Sequence, residues 1–323
     1  MENENLVMDN GPESAIKAPK LLTRKTKRLI FYISVITLFI IETLVWYVYV
    51  NMSTFVLAFQ EYELTLAGYI PKFVGFQNFE KIIEMFKDPT NFDMIQTSLL
   101  MYAFHLCVGT VLALFLSYYV YKKMLLGGFF RVILFLPSIM SSVVMVVLYK
   151  YMVNDCYMEA FNQPTGLLKG DHMTSVLMVI VYNLWMGYGT DVLLYTGAMS
   201  GINPSTVEAS ELDGCNALQE FWYITLPCIF PTLITFIVAG LAHIFTNQMA
   251  LFTFYDSTST IRSVGYFLYC QNKSSPGLVR TNPLSSLLTY PELSALSLMI
   301  TLITCPIVLT IRFLLNKYGP SAK

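Results

Sequence analysis

The chain has 323 residues, 55% of them hydrophobic and only 13% charged, with a formal net charge of −1 and a mean hydropathy of +0.56. Soluble domains carry about 25% charged residues, so this composition excludes an ordinary soluble domain and indicates an integral membrane protein. A near-neutral balance, with no dense Lys/Arg stripe beyond the amino-terminal segment, also argues against nucleic acid as a partner.

Residues 1–28 open the chain with Asn, Asp, Glu, Gly and Pro and no apolar period, which reads as a disordered cytoplasmic tail. Runs of about 20 apolar residues, enough to cross roughly 30 Å of hydrocarbon as a helix, then occur at Leu29–Val50, Thr97–Tyr121, Val132–Met152, Thr174–Met199, Leu226–Gln248 and Ser294–Leu314. Helices are expected because lipid leaves no water for backbone groups, and runs this long do not alternate as barrel strands do. The expected fold class is all-α integral membrane, one domain of six transmembrane helices over residues 29–316, followed by a cytoplasmic tail at 317–323. The first run exceeds the roughly 7–15 residues of a signal-peptide core, and no Ala-x-Ala-like site follows it in Asn51–Gln60, so it is read as a retained helix.

Orientation follows from the basic flanks, since cytoplasmic loops carry the excess of Lys and Arg. Lys17, Lys20, Arg24, Lys25, Lys27 and Arg28 precede the first span, Lys122, Lys123 and Arg131 lie between the second and third, and Arg312, Lys317 and Lys323 follow the sixth or close it. Both termini are therefore expected in the cytoplasm. The first outer loop, about residues 51–94, is long enough for short helices around Phe79–Phe86 but not for an extra folded domain. Cysteines at 107, 156, 215, 228, 270 and 305 form no Cys-x-x-Cys pair, which argues against a metal site. Cys156 and Cys270 both fall on the expected outer side, where a disulfide between them is an open alternative.

Charges and aromatics inside spans are expensive and usually face a pathway or a partner. On the fourth span Trp185, Tyr188, Asp191 and Tyr195 recur at helical spacing, a carboxylate among aromatic rings, which is the mixture a sugar site wants. The fifth offers His243, Asn247 and Gln248. The competing reading is that Asp191 and His243 only hold neighbouring helices together. Glu42 in the first span is expected to pair with another subunit or to sit near an interface. Pro137, Pro227, Pro231 and Pro306 fall within or at the start of spans, where they either hinge or merely shape the bundle.

The most informative stretch is residues 200–225, also expected in the cytoplasm, where Glu208, Glu211, Asp213 and Glu220 stand without one Lys or Arg. Asn203-Pro204-Ser205 is a helix start, with Asn203 or Ser205 as cap and Ser205–Glu208 at capping-box spacing. Gly214 stands where a helix ends in a left-handed residue. A second amphipathic segment with Leu218, Phe221, Trp222 and Ile224 follows, and Leu226-Pro227 is expected to open the fifth span. Such an acidic loop reads as a surface to be covered by a partner.

The same residues carry a resemblance. Glu208-Ala209-Ser210, Asp213-Gly214, Phe221, Ile224, Leu226-Pro227 and Pro231 resemble the Glu-Ala-Ala loop of permease subunits of binding-protein-dependent ABC importers. Phe76-x-Asn78-Phe79, Gly128-Phe129-Phe130-Arg131 with Leu136-Pro137, and the run from Ala295-Leu296-Ser297 to Arg312 resemble the carbohydrate-type (maltose/glycerol-3-phosphate) permeases. Two departures, Ser210 and Cys215 where alanines are usual, keep small side chains. The resemblance implies a type I ABC importer permease fold in a bacterial cell membrane. It also implies a non-catalytic subunit whose Glu208, Ala209, Asp213, Gly214, Phe221, Leu226 and Pro227 form a coupling helix and its surroundings, docked on a cytoplasmic ATPase.

Further implied are a second permease, two ATP-binding cassette subunits that use ATP and magnesium, and an external solute-binding protein delivering a sugar or oligosaccharide. No cofactor is expected on this chain, which has no Gly-x-x-x-x-Gly-Lys-Ser/Thr phosphate loop. Two alternatives stay open: a permease for a phosphorylated polyol or a peptide, and an ATP-independent secondary carrier. The carrier should show inverted repeats, which the two halves of the chain do not display. An anionic substrate would favour a Lys or Arg within the spans, where Lys150 is the candidate.

Overall fold

The structure, a computed structural model, describes residues 24–66, 68–279 and 286–320. Residues 1–23 and 321–323, which hold most of the two expected tails, lie outside the described residues. The chain forms two units, divided between Ser53 and Thr54. The first contains most of helix α1 (Arg24–Leu57). Arg24, Lys25, Lys27 and Arg28, placed by sequence in the tail, are already helical, and a π turn at Thr43–Tyr49 directly follows Glu42.

The second unit opens with an antiparallel hairpin, β1 (Gln60–Thr65) and β2 (Gly68–Phe73), which the hydropathy pattern did not announce. Its Glu63–Lys72 pair at 3.1 Å is exposed on both sides, so it adds well under about 1 kcal/mol. Helix α2 (Gln77–Lys87) is the short outer-loop helix that was expected. Buried Asn78 donates its amide to the Ala58 and Gln60 carbonyls at 3.0 and 2.9 Å, tying α2 to the start of the hairpin. Phe59 packs between Phe76 and Phe79, with ring centroids 5.5 and 5.2 Å away.

The remaining elements are α3 (Asn91–Tyr121), α4 (Gly127–Ile139), α5 (Ser142–Phe161), α6 (His172–Ser200), α7 (Pro204–Leu212), α8 (Ala217–Ala242), α9 (Leu251–Tyr255), α10 (Val264–Ser274) and α11 (Tyr290–Tyr318). Among the described residues five helices are long and apolar enough to cross a membrane, and six spans result when α4 and α5 count as one. That third span is not the single helix expected at Val132–Met152. It breaks between Ile139 and Ser142 with a bend of 103°. Pro137 withholds one backbone donor, and Ser138 donates its hydroxyl to the Phe135 carbonyl at 2.7 Å in competition with the helical ladder.

The fifth span also differs from expectation. It begins at Ala217 rather than at Leu226-Pro227 and stops at Ala242 rather than Gln248. A π turn at Phe221–Thr225 lies immediately before Leu226-Pro227. Proline has no N–H and crowds the carbonyl four residues back, and a locally widened turn absorbs both, so the helix runs through where it was expected to start.

Helix α6 is the hub of the second unit. Tyr149 of α5 donates to the Met178 carbonyl at 2.8 Å, and Asn183 donates to the Met249 carbonyl at 3.0 Å. Thr196 donates to the Ser117 carbonyl of α3 at 3.4 Å. Around α6 two apolar clusters form. One centres on Tyr149, Tyr182 and Phe254, the two tyrosines each meeting the Phe254 ring edge to face; the other holds Tyr118, Tyr195, Met199, Phe221 and Ile229. The cysteines are all free, Cys156 and Cys270 included, so the possible disulfide between those two is absent.

Packing of α4 on α6 depends on Gly189, where a β-carbon would meet the Leu134 carbonyl oxygen at 2.5 Å and the Phe135 α-carbon at 2.7 Å. Both are backbone atoms, so α4 would have to move away. Gly189→Ala is expected to destabilise the detergent-solubilised protein by about 1–3 kcal/mol, the usual range for overpacking. Gly197→Ala on the same helix meets nothing within 4 Å, and should be neutral or stabilising by roughly 0.5–1 kcal/mol. Thermal melting of the two variants side by side checks this, and equal midpoints would show that the two helices do not touch at Gly189.

Candidate functional site

The acidic loop is built from two short helical pieces meeting at a glycine. Helix α7 is capped by Asn203, whose side chain accepts from the Ser205 N–H at 3.2 Å, with Pro204 in the first turn. The Ser205–Glu208 capping box is not formed, because Asn203 already occupies the cap. A reciprocal box forms instead at the start of α8, where the Asn216 side chain accepts from the Gln219 N–H and the Gln219 side chain from the Asn216 N–H, both at 2.9 Å. Between them Gly214 has φ +80°, the left-handed conformation expected of it.

The four carboxylates divide into two pairs. Glu220 is 3% exposed in its side chain and lies 2.7 Å from the ammonium of Lys122, at the end of α3; Lys122 also reaches Glu211 at 3.4 Å. Burial works against the charge on Lys122, but the two carboxylates outweigh it and hold its pKa above the ordinary lysine value. A raised folded pKa means that this stabilisation is complete below the ordinary value and fades only as pH climbs through the higher one, so the pair is intact at neutral pH. Glu208 and Asp213 stay exposed beside Ala209, Leu212 at 89%, Leu218, Trp222 and Tyr223. Phe221 faces inward, 2% exposed, stacked on Phe115 at 5.0 Å. Leu226 and Pro227 are half-buried. The loop therefore presents Glu208, Asp213, the largely exposed Glu211 and several apolar side chains outward.

The residues singled out inside the spans do not form one group. Trp185 and Tyr188 are half-buried and pack on the aromatic clusters, and Tyr195 is buried against Phe236 with centroids 5.3 Å apart. Asp191 has a neighbour the sequence did not suggest. A β-carbon at Gly187 would stand 3.8 Å from the Asp191 carboxylate and 4.0 Å from His105 Nε2, so the two titratable groups flank one bare spot on α6. His105 begins a π turn, His105–Gly109, within α3.

His243 and Asn247 lie beyond the end of α8, not on it as expected. His243 faces the Thr246 hydroxyl at 3.3 Å, and the Asn247 side chain accepts from the Met249 N–H at 2.9 Å. Asn247 and Gln248 instead line a cavity of about 640 Å³ with Tyr269, Asn272, Ser294 and Ser297. Among the described residues no charged side chain lines it, and the Gln248 amide oxygen is buried without a hydrogen-bond partner. Amides, hydroxyls and an aromatic ring are the groups that engage a neutral polyhydroxylated ligand. Lys150, the one basic candidate within the spans, donates to the Phe254 carbonyl at 2.9 Å.

Residues 105–322 match the family described as binding-protein-dependent transport system inner membrane component. The chain belongs to that family. As an inner membrane component it resembles the polygalacturonan/rhamnogalacturonan transport system permease protein YteP of Bacillus subtilis (26% identical over 201 residues, 59% of this chain and 61% of that one). It likewise resembles the maltose/maltodextrin transport system permease protein MalF of Klebsiella aerogenes (31% over 147 residues, 43% and 28%). The chain thus aligns with less than two thirds of each of these relatives' own length.

Among solved structures, a chain of a bacterial ABC transporter involved in the import of the acidic polysaccharide alginate superposes with a TM-score of 0.70 at 19% identity, covering 92% of this chain and 98% of that one. This likeness shows the fold. It matches the type I importer permease architecture that the Glu-Ala-Ala-like loop implied, and this inner membrane component is multi-pass.

Sequence reasoning missed Lys122, His105, Tyr269, Asn272, Ser294 and Ser297. The signal for Lys122 was present, an acidic loop with no cation of its own; nothing pointed to the others as site residues, because His105 reaches Asp191, and Tyr269, Asn272, Ser294 and Ser297 share a cavity, only through folding. At Gly214 an alanine would be forced left-handed, so Gly214→Ala is expected to lose about 1–2 kcal/mol of stability and Gly214→Asn less. Melting of the two variants against the wild-type chain checks this, and three equal midpoints would show the turn to be relaxed.

Proposed function

We propose that this chain is the non-catalytic transmembrane subunit of an ATP-driven importer, forming with a second permease the pathway for a sugar or oligosaccharide delivered by an external solute-binding protein. The observation that carries the reading is the family match together with the outward face of the α7–α8 loop. A rigid capped helix shows Glu208, Leu212 and Asp213 outward, as a docking element for an ATPase needs. Carboxylates there engage Arg or Lys through charge-assisted hydrogen bonds. ATP-driven closure of two such ATPases would move the loop and the helices attached to it as a rigid body, giving alternating access.

Topology supports placing this loop in the cytoplasm. The α3–α4 connection, which carries Lys122 and Lys123, is bonded to the loop, so this basic flank and the loop share one end of the second unit. YteP and MalF are named for saccharide transport. The uncharged amide- and hydroxyl-lined cavity favours a neutral saccharide, with Asn247 and Asn272 as hydrogen-bonding residues. Asp191, with His105 of α3 beside it, and the aromatics Trp185 and Tyr188 belong to α6, the helix that braces this pathway.

The test is to purify the tagged chain from its native host in mild detergent and to identify what accompanies it. A P-loop ATPase and a second permease are expected with wild type and lost with the double variant Glu208→Ala, Gly214→Pro; a wild-type chain recovered alone would sink the importer reading in favour of a carrier. In membrane vesicles, Asn247→Ala and Asn272→Ala should each lower saccharide uptake about five- to tenfold, as the loss of one hydrogen bond of roughly 1–1.5 kcal/mol implies. Competition by uronate oligosaccharides rather than neutral ones would move the substrate to a second cavity, lined by Asp93, His172 and Arg262.

A further inference from the structure

The turn between α7 and α8 has no brace of its own. On the α7 side the last local bonds run from the Gly214 N–H to the Glu211 carbonyl at 3.1 Å and from the Cys215 N–H to the Ser210 carbonyl at 3.0 Å. On the α8 side the first is the Asn216–Gln219 box. Among the described residues no hydrogen bond or ion pair within the loop joins one side to the other, and a β-carbon at Gly214 would meet nothing within 4 Å.

What spans the turn comes from another helix. Lys122 holds Glu211 of α7 at 3.4 Å and Glu220 of α8 at 2.7 Å with the same ammonium. One turn earlier on α3, Tyr118 donates its hydroxyl to the Ala217 carbonyl at 2.9 Å. Among the described residues the second oxygen of Glu220 is buried without a hydrogen-bond partner, and Lys122 is that carboxylate's ionic anchor.

We infer that Lys122 is a positioning residue for energy coupling: it sets the angle between the two halves of the loop and fastens both to the second span. This rests on the coupling role proposed above. Its consequence is that a push on α7 reaches α3 directly, not only the fourth and fifth spans that are contiguous with the loop. Glu211, 62% exposed in its side chain, is the separable half of the clamp, and Glu220 is the fixed half.

Removing Lys122 alone would strand a buried carboxylate, an effect that is merely structural. The test therefore uses three variants in the complete transporter: Lys122→Arg, Glu211→Gln, and the double variant Lys122→Met, Glu220→Met, which leaves no buried charge. Three readouts are recorded: co-elution of the ATPase, amide exchange over residues 203–220, and saccharide transported per ATP hydrolysed. The double variant is expected to assemble and hydrolyse ATP, yet to transport at least tenfold less per ATP, with exchange in α7 at least fivefold faster. Glu211→Gln should fall three- to fivefold, and Lys122→Arg should keep more than half of wild-type transport.

Transport and exchange within twofold of wild type in both the double variant and Glu211→Gln would overturn the inference. Should the double variant fail to fold, Glu211→Gln decides alone, because it strands nothing. If no ATPase accompanies the wild-type chain, the coupling reading itself falls. The exchange data then still report whether Lys122 braces the turn.

Discussion

In hydrocarbon a helix gains nothing by exchanging lipid for another leucine, so the second unit must be held by what lipid cannot offer, namely close backbone contact and hydrogen bonds between helices. Helix α6 shows both. Gly189 lets the backbone of α4 approach to where no side chain fits, and Thr196, Asn183 and the Met178 carbonyl connect α6 to α3, to the segment after α8 and to α5. Tyrosines do similar work elsewhere. Tyr102 donates to the Ile237 carbonyl at 3.0 Å, linking α3 to α8 across the bundle. These contacts position the aromatic clusters, and through them the polar cavity and the acidic loop.

The acidic loop illustrates how the same constraint divides a set of like charges. Four carboxylates in one loop repel one another unless some are neutralised, and a buried one is tolerated only beside a cation. Glu220 meets that requirement through Lys122 from a neighbouring helix, which also reaches the largely exposed Glu211, while Glu208 and Asp213 remain in solvent. The loop is thus neither a uniformly acidic surface nor a purely structural one. Glu220 and Phe221 belong to the bundle, while Glu208, Leu212 and Asp213 lie in solvent.

Much of the fold was legible because its signals are local. The apolar runs are set by membrane thickness, and the Asn203-Pro204 start and the Gly214 stop of α7 follow from capping chemistry and from the one residue type that is left-handed without strain. The misses are equally specific. Hydropathy averages over a window, so it passed over the break at Ile139–Ser142 and could not see the π turn that carries α8 through Pro227. The β1–β2 hairpin carries Glu61, Glu63 and Lys72 on one face and rests on pairing across a turn. His243 and Asn247 carried the right chemistry, but α8 ends at Ala242, so they fell into a connection where helical spacing has no meaning.

By itself the sequence determined the membrane class, the approximate spans and the family-like loop, since these depend on composition and on residues within a few positions of one another. Tertiary structure alone decided which charges are paired and which polar groups share a cavity. Lys122 meets Glu220 across the bundle, His105 comes beside Asp191, and Asn247 joins Asn272 and Ser294. The physical reason is that a lone charge or amide in an apolar medium has no acceptable place without a partner, and that partner is chosen by how helices pack rather than by their order along the chain.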